Sequence, residues 1–186
     1  LILRQHSHLF IMITGFMLFT SLMKSALSVF LPTFKNVQGS SLWVGGIYLA
    51  IYQLAGAAGT FSSGTLSDRL GRKKILMIAA ISNPILMALF VFIQNPVLSI
   101  ILLILIGASL LSYGSVLLAL VQEIQSDRPA FLNGIYMTIN FFVSSLGAMF
   151  IGFFSDLFGM EGTFYLAAIL ALLAVPFIFF LPNKSG

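Results

Sequence analysis

Residues 64–74 read Gly-Thr-Leu-Ser-Asp-Arg-Leu-Gly-Arg-Lys-Lys, with one carboxylate, Asp68, among the cations Arg69, Arg72, Lys73 and Lys74. Types so spaced support ion pairing rather than covalent chemistry. Asp68 can pair with Arg72, four residues on, or accept from the N-terminus of a neighbouring helix, whose dipole favours an anion. Gly71 permits a tight turn. Gly64 permits close approach of a second helix. The four cations suit an anionic lipid surface; a simple basic anchor explains them, but not Asp68 or the two glycines. Nucleophilic catalysis lacks its parts: the chain has no Cys, and both histidines, His6 and His8, stand at the extreme N-terminus. Ser109 and Ser115 have no base to activate them except Lys24. The reading is therefore no enzyme, no metal site and no cofactor.

The elements that hold this segment follow from how little charge the chain carries. Charged residues make up 8% of 186 residues and hydrophobic residues 59%, against about 25% charged in soluble proteins. The net charge is only +4, so soluble, disordered and nucleic-acid-binding classes are set aside. Neutral stretches cover 36–67, 75–122, 129–155 and 162–183, and about 20 apolar residues cross a bilayer. The stretch 75–122 holds two spans, split at Gln94-Asn95-Pro96. Six spans are predicted, at about 9–31, 42–66, 74–93, 97–122, 130–154 and 162–181. Continuous apolar runs favour helices over a barrel. The first run is too long for a signal-peptide core. Arg4, Arg69, Arg72, Lys73, Lys74, Arg128 and Lys184 fall on one side of this topology, against Lys35 and, within span 1, Lys24 on the other, which places both termini in the cytoplasm.

The segment ending span 2 recurs 88 residues later. Residues 64–71 and 152–159 both read G-x-x-S-D-x-x-G, the second with Asp156. Three spans per unit invert the second copy, an arrangement of secondary transporters. The units would be about 9–93 and 97–181 within one bundle over 1–186. The segment 64–74 also closely resembles the signature loop of the major facilitator superfamily, G-x-L-(S/A)-D-R-x-G-R-(K/R)-x, and lies where that family carries it, between the second and third helices of a six-helix block. Phe30-Leu31-Pro32-Thr33 and Val121-Gln122-Glu123 fit as well, and drug-efflux and fosmidomycin-resistance-like members resemble it most. The resemblance implies an all-α integral membrane fold, half of a twelve-helix protein. It implies a small-molecule transporter working by alternating access, by efflux or antiport, in the cell (inner or plasma) membrane. Its partners would be the bilayer, the other six-helix half, the substrate and, as one candidate coupling ion, a proton. Gly64, Asp68, Arg69, Gly71, Arg72 and Lys73 would form a cytoplasmic latch. An initial Leu and an end just after span 6 fit a single half, read as the C-terminal one. A non-transporting receptor or accessory protein on the same fold is the alternative.

Helical spacing sorts the remaining polar residues. Thr14, Ser21, Ser25 and Ser28 share a face of span 1 with Lys24 on its flank; Ser109, Ser112 and Tyr113 share one on span 4; Asn140 and Ser144 share one on span 5. Span 2 carries Tyr52 and Gln53. Spans 3 and 6 are nearly free of polar groups and read as lipid-facing support. The candidate cavity is therefore Ser21, Lys24, Ser25, Ser28, Tyr52, Gln53, Ser109, Ser112, Tyr113, Asn140 and Ser144. A Lys at mid-span costs about 2.5–3.5 kcal/mol. Lys24 lies seven residues before Leu31, roughly 10 Å along the helix, so it either snorkels outward or faces the cavity, binding an anionic substrate group or a carboxylate of the other half. Gln53 either binds substrate or bonds across helices. Glu123 and Asp127 read as helix-end salt bridges, for example with Arg128.

Overall fold

A computed structural model describes residues 7–124 and 128–181. Arg4, Asp127 and Lys184 lie outside the described residues. The elements are α1 (Ser7–Val29), α2 (Leu31–Val37), α3 (Leu42–Leu70), α4 (Arg72–Phe92), α5 (Pro96–Leu110), α6 (Tyr113–Gln122), α7 (Pro129–Ala171) and α8 (Val175–Phe179), with a 3-10 turn at Leu172–Ala174. Five helical stretches are long and apolar enough to cross a membrane. Gly159, at φ 71° and ψ 169°, divides the 43-residue α7 into two limbs, so six spans result, as the neutral stretches require. Among the described residues there is no strand.

Local chemistry sets the ends. The Ser41 hydroxyl caps α3 by accepting from the Val44 N–H at 3.3 Å. The Asn95 carboxamide accepts from the N–H groups of Val97 and Leu98 at 3.0 and 3.2 Å, with Pro96 at the first helical position. Span 2 runs to Leu70 and span 3 starts at Arg72, so both are longer than predicted. A single residue, Gly71, joins them. Its φ of 90° is open to glycine at little cost.

Span 4 is the main departure. The predicted continuous helix over 97–122 is interrupted between α5 and α6 at Leu111-Ser112. The Ser112 hydroxyl donates to the Ala108 carbonyl, and that of Ser109 donates to Leu105 O at 2.7 Å. Serines bonded to the carbonyl four residues back compete with the helix ladder and bend it.

Helices in lipid gain little from the hydrophobic effect, so backbone closeness decides which pairs form. A Cβ on Gly59 would strike the Ala108 carbonyl oxygen, and one on Gly107 would lie 2.5 Å from Tyr52 O; α3 and α5 therefore touch backbone to backbone. A Cβ on Gly147 would come within 2.9 Å of Ser21 O, Ser21 Oγ and Ser25 Oγ, which seats α7 on α1. There the Ser25 hydroxyl donates to Ser144 O at 3.3 Å. Fully buried Phe16, Met23, Leu27, Phe34, Met87, Phe90, Tyr136 and Phe164 fill the space between.

The two motif copies fold alike. The Ser67 hydroxyl donates to Gly64 O at 2.9 Å, and that of Ser155 to Gly152 O at 2.7 Å. Each copy ends in a glycine of positive φ, Gly71 and Gly159. The helix contact expected at Gly64 is not found: a Cβ there meets nothing within 4 Å. Gly64 lies on the exposed side of α3, turned away from its neighbours.

Gly59 and Gly64 therefore separate by substitution. Gly59→Ala is expected to destabilise by about 1–3 kcal/mol through overpacking. Gly64→Ala is expected to stay within about 0.5 kcal/mol. Thermal unfolding of the full-length protein in detergent reads both, and equal effects would contradict this packing.

Candidate functional site

Two polar centres stand out, one at the α3–α4 corner and one at mid-span.

At the corner, Arg72 is the hub. Its guanidinium lies 3.5 Å from the Asp68 carboxylate, as the spacing predicts, and 2.7 Å from the Glu123 carboxylate at the end of α6. Arg72 thus ties spans 2, 3 and 4 together; the Glu123 partner was not foreseen, since sequence distance gives no hint of it. The Arg72 side chain is mostly sheltered while both carboxylates remain partly exposed. Lys73 reaches elsewhere. Its ammonium donates to Phe179 O at 2.7 Å and Leu181 O at 3.2 Å, covering carbonyls that end span 6. A cation at a helix C-terminus is favoured by both the free carbonyls and the dipole. Arg69 is exposed beside this assembly.

At mid-span, Lys24 is half-buried and lines a partly open cavity of about 40 Å³ with Thr20, Ser21, Tyr113, Asn140, Ser144 and apolar neighbours such as Met17, Leu110 and Val143. Span 1, the α5–α6 bend and the first limb of α7 meet at this cavity, and Lys24 is part of its lining. Thr20 and Ser21 donate to Phe16 O and Leu18 O at 2.9 and 2.8 Å. Ser144 donates to Asn140 Oδ1 at 3.4 Å.

The other predicted cavity residues divide. Ser109 and Ser112 turn to a separate groove of about 560 Å³ between α3, α4 and α5, with Ser62, Ser63 and Ser82. All five of these hydroxyls already donate to main-chain carbonyls: Ser62 to Ala58 O, Ser63 to Thr60 O, Ser82 to Ala79 O, Ser109 to Leu105 O and Ser112 to Ala108 O. The groove is therefore chemically quiet. Tyr52 is wholly buried against Gly107 and forms core. Gln53 is exposed on α3, and Ser28 is half-buried outside the Lys24 cavity. Ser21 and Ser25 serve the contact with Gly147.

Two residues were missed. Asn83, in a helix read as mere support, is buried; it donates to the Tyr113 hydroxyl at 2.9 Å, and its Oδ1 shares the single Ser109 proton with Leu105 O. The network fixes Tyr113, whose ring also meets Phe16 edge-on at 5.0 Å. A polar residue just before Pro84 was the available signal. Lys35, counted only for topology, is buried with its ammonium 4.7, 4.9 and 5.6 Å from the ring centres of Phe90, Tyr48 and Phe34. Burial lowers its pKa, while the ring faces and Gln38 Oε1, at 3.0 Å, favour the cation. Gln38 in turn donates to Glu161 at 3.3 Å, so α2 and the second limb of α7 are joined.

Against known proteins, the profile described as Major Facilitator Superfamily matches residues 1–148. An uncharacterised MFS-type transporter of Bacillus subtilis (strain 168), YfnC, is 30% identical over 138 residues, 74% of this chain and 33% of that protein. The fosmidomycin resistance protein of Escherichia coli (strain K12) is 29% identical over 150 residues, 78% of this chain and 36% of that protein. The chain thus spans about a third of the length of these relatives.

The Lys73 contact has a local signature. Lys73→Ala is expected to speed amide exchange in 175–181 about fivefold, as loss of roughly 1 kcal/mol implies for a partly exposed charged bond. Exchange in 96–122 should not change. Hydrogen–deuterium exchange by mass spectrometry reads both segments, and an unchanged 175–181 would remove the capping role.

Proposed function

Since the chain belongs to the major facilitator superfamily, we propose that it is one six-helix half of a secondary active transporter that moves a small molecule by alternating access. The observation that carries this reading is the Asp68–Arg72–Glu123 tie across one glycine corner. It joins the ends of three spans through charges that remain partly exposed, so a rocking motion can break and remake it at modest cost. Isolated exposed pairs are worth about 0.2–1 kcal/mol each. Such a tie is strong enough to bias a conformational equilibrium and weak enough to release.

The same reading assigns the rest. Gly64, Asp68, Arg69, Gly71, Arg72 and Lys73 form the latch on the cytoplasmic face, where the basic residues and both termini also lie. The units 9–93 and 97–181 are the inverted repeats. The other six-helix half docks along α3, the span with the smallest buried share, 22% against 56% for α1. Its exposed side carries Gly46, Ala50 and Ala57, small residues suited to close helix contact. The chain is the C-terminal half. Export, by antiport against a proton, in the cell membrane is the direction we assign, supported by the resistance named for the Escherichia coli relative.

Flux tests this. The full-length protein in proteoliposomes with an imposed pH gradient should move at least one solute from a broad panel of labelled compounds, and collapse of the gradient should stop it. Asp68→Asn should slow that flux by up to about fivefold, the upper end of an exposed pair of about 0.2–1 kcal/mol, with little change in melting temperature. No flux across the panel would favour a non-transporting receptor on this fold. Full flux with Asp68→Asn would remove the latch.

A further inference from the structure

We propose that the Lys24 cavity is an oxyanion-binding site, so that the transported molecule carries an acidic group with at least two acceptor oxygens, held by Lys24 and Asn140. The proposal deepens the transport reading and rests on it for the role of the cavity, but the recognition chemistry is argued from donors and acceptors.

Charge comes first. Among the described residues, the carboxylates are Asp68, Glu123, Asp156 and Glu161, and all four lie at helix ends or corners. None lines the Lys24 cavity. An ammonium half-buried in an apolar span without a counter-ion is costly, and polar groups at membrane depth that serve no partner mark ligand paths. An anion arriving in the cavity removes that cost, which gives the site a preference by charge sign before any shape is considered.

Hydrogen bonding sharpens the preference. The hydroxyl protons of Thr20, Ser21 and Ser144 are already donated, to Phe16 O, Leu18 O and Asn140 Oδ1. The bond from Ser144 occupies the oxygen of Asn140 and leaves its NH₂ to donate. The Tyr113 hydroxyl is held at the Asn83 amide, which does not line the cavity. The donors left over are therefore the Lys24 ammonium and the Asn140 amide. Two donors with one positive charge suit a group with at least two acceptor oxygens and a negative charge. A cationic ligand would meet Lys24 as a like charge, and a neutral amide would leave the charge uncompensated. The cavity volume of about 40 Å³ accepts the anionic head alone. The remainder of the molecule would extend from the cavity's open side.

Binding of simple probes tests the proposal independently of flux. Benzoate and phenylphosphonate are titrated by calorimetry against the purified full-length protein, with the neutral isostere benzamide as the reference. At least one anion should bind about tenfold or more tightly than benzamide, since close charge pairs couple by at least that much. Lys24→Met should abolish the preference and Lys24→Arg should keep it. Asn140→Asp, which places a carboxylate beside Lys24, should abolish it as well while the melting temperature is retained. Equal binding of anion and amide, no binding of either anion, or an anion preference that survives Lys24→Met would each overturn the proposal. The first two outcomes are also those expected if a carboxylate of the other half neutralises Lys24. Transport of neutral or cationic solutes with no anion preference would sink this proposal and leave the transport reading standing. Anion binding without any flux would do the reverse.

Discussion

In a hydrocarbon layer, a hydrogen bond that is not made within the protein is hardly made at all. That constraint organises this chain more than apolar burial does. Thr20, Ser21, Ser62, Ser63, Ser67, Ser109, Ser112 and Ser155 all return their protons to carbonyls of their own helices. Where one hydroxyl proton is not enough, a chain forms, as in Ser109, Asn83 and Tyr113. Once such groups are satisfied, only a few polar atoms stand apart. The bend in span 4 is a by-product of the same rule: two serines satisfied locally loosen the ladder between α5 and α6.

Close backbone approach is the second consequence. With apolar side chains gaining little from leaving lipid, contact between α3 and α5 depends on Gly59 and Gly107, and that between α1 and α7 on Gly147. The bundle is therefore held together by what several positions lack. Larger rings, such as the Phe34–Phe164 stack at 4.3 Å, fill the space between α2 and the second limb of α7. Lys35 works in that aromatic end as a cation among rings, which explains how a charge can be buried there with no carboxylate in direct contact.

Much of this was legible in the sequence. Six spans, the turn at Asn95-Pro96, the corner at Gly71 and the Asp68–Arg72 pair all follow from local rules: run length, breakers and i,i+4 spacing. What failed needed three-dimensional partners. Glu123 could be placed at a helix end but not matched to Arg72. Ser109, Ser112 and Tyr113 were put on one face, yet Ser109 and Ser112 turn to a different groove once α5 and α6 bend. Tyr52 looked like a cavity residue because it is polar; its ring volume made it core. Gly64 was expected to meet a neighbouring helix, and it points outward from this bundle. Helix periodicity gives a direction around an axis, but not which neighbour stands there.

The two glycine corners share their backbone geometry and differ in their side chains. The positions matching Arg69, Arg72, Lys73 and Lys74 are Leu157, Met160, Glu161 and Gly162. A chain built from inverted copies has two nearly equivalent ways to thread into a bilayer, because turning it over superimposes one copy on the other. Basic residues resist translocation, so keeping all four at one corner and none at the other breaks that degeneracy. On the inverted-repeat topology proposed above, the divergence of the duplicate would be the mark by which an otherwise reversible object acquires a single orientation.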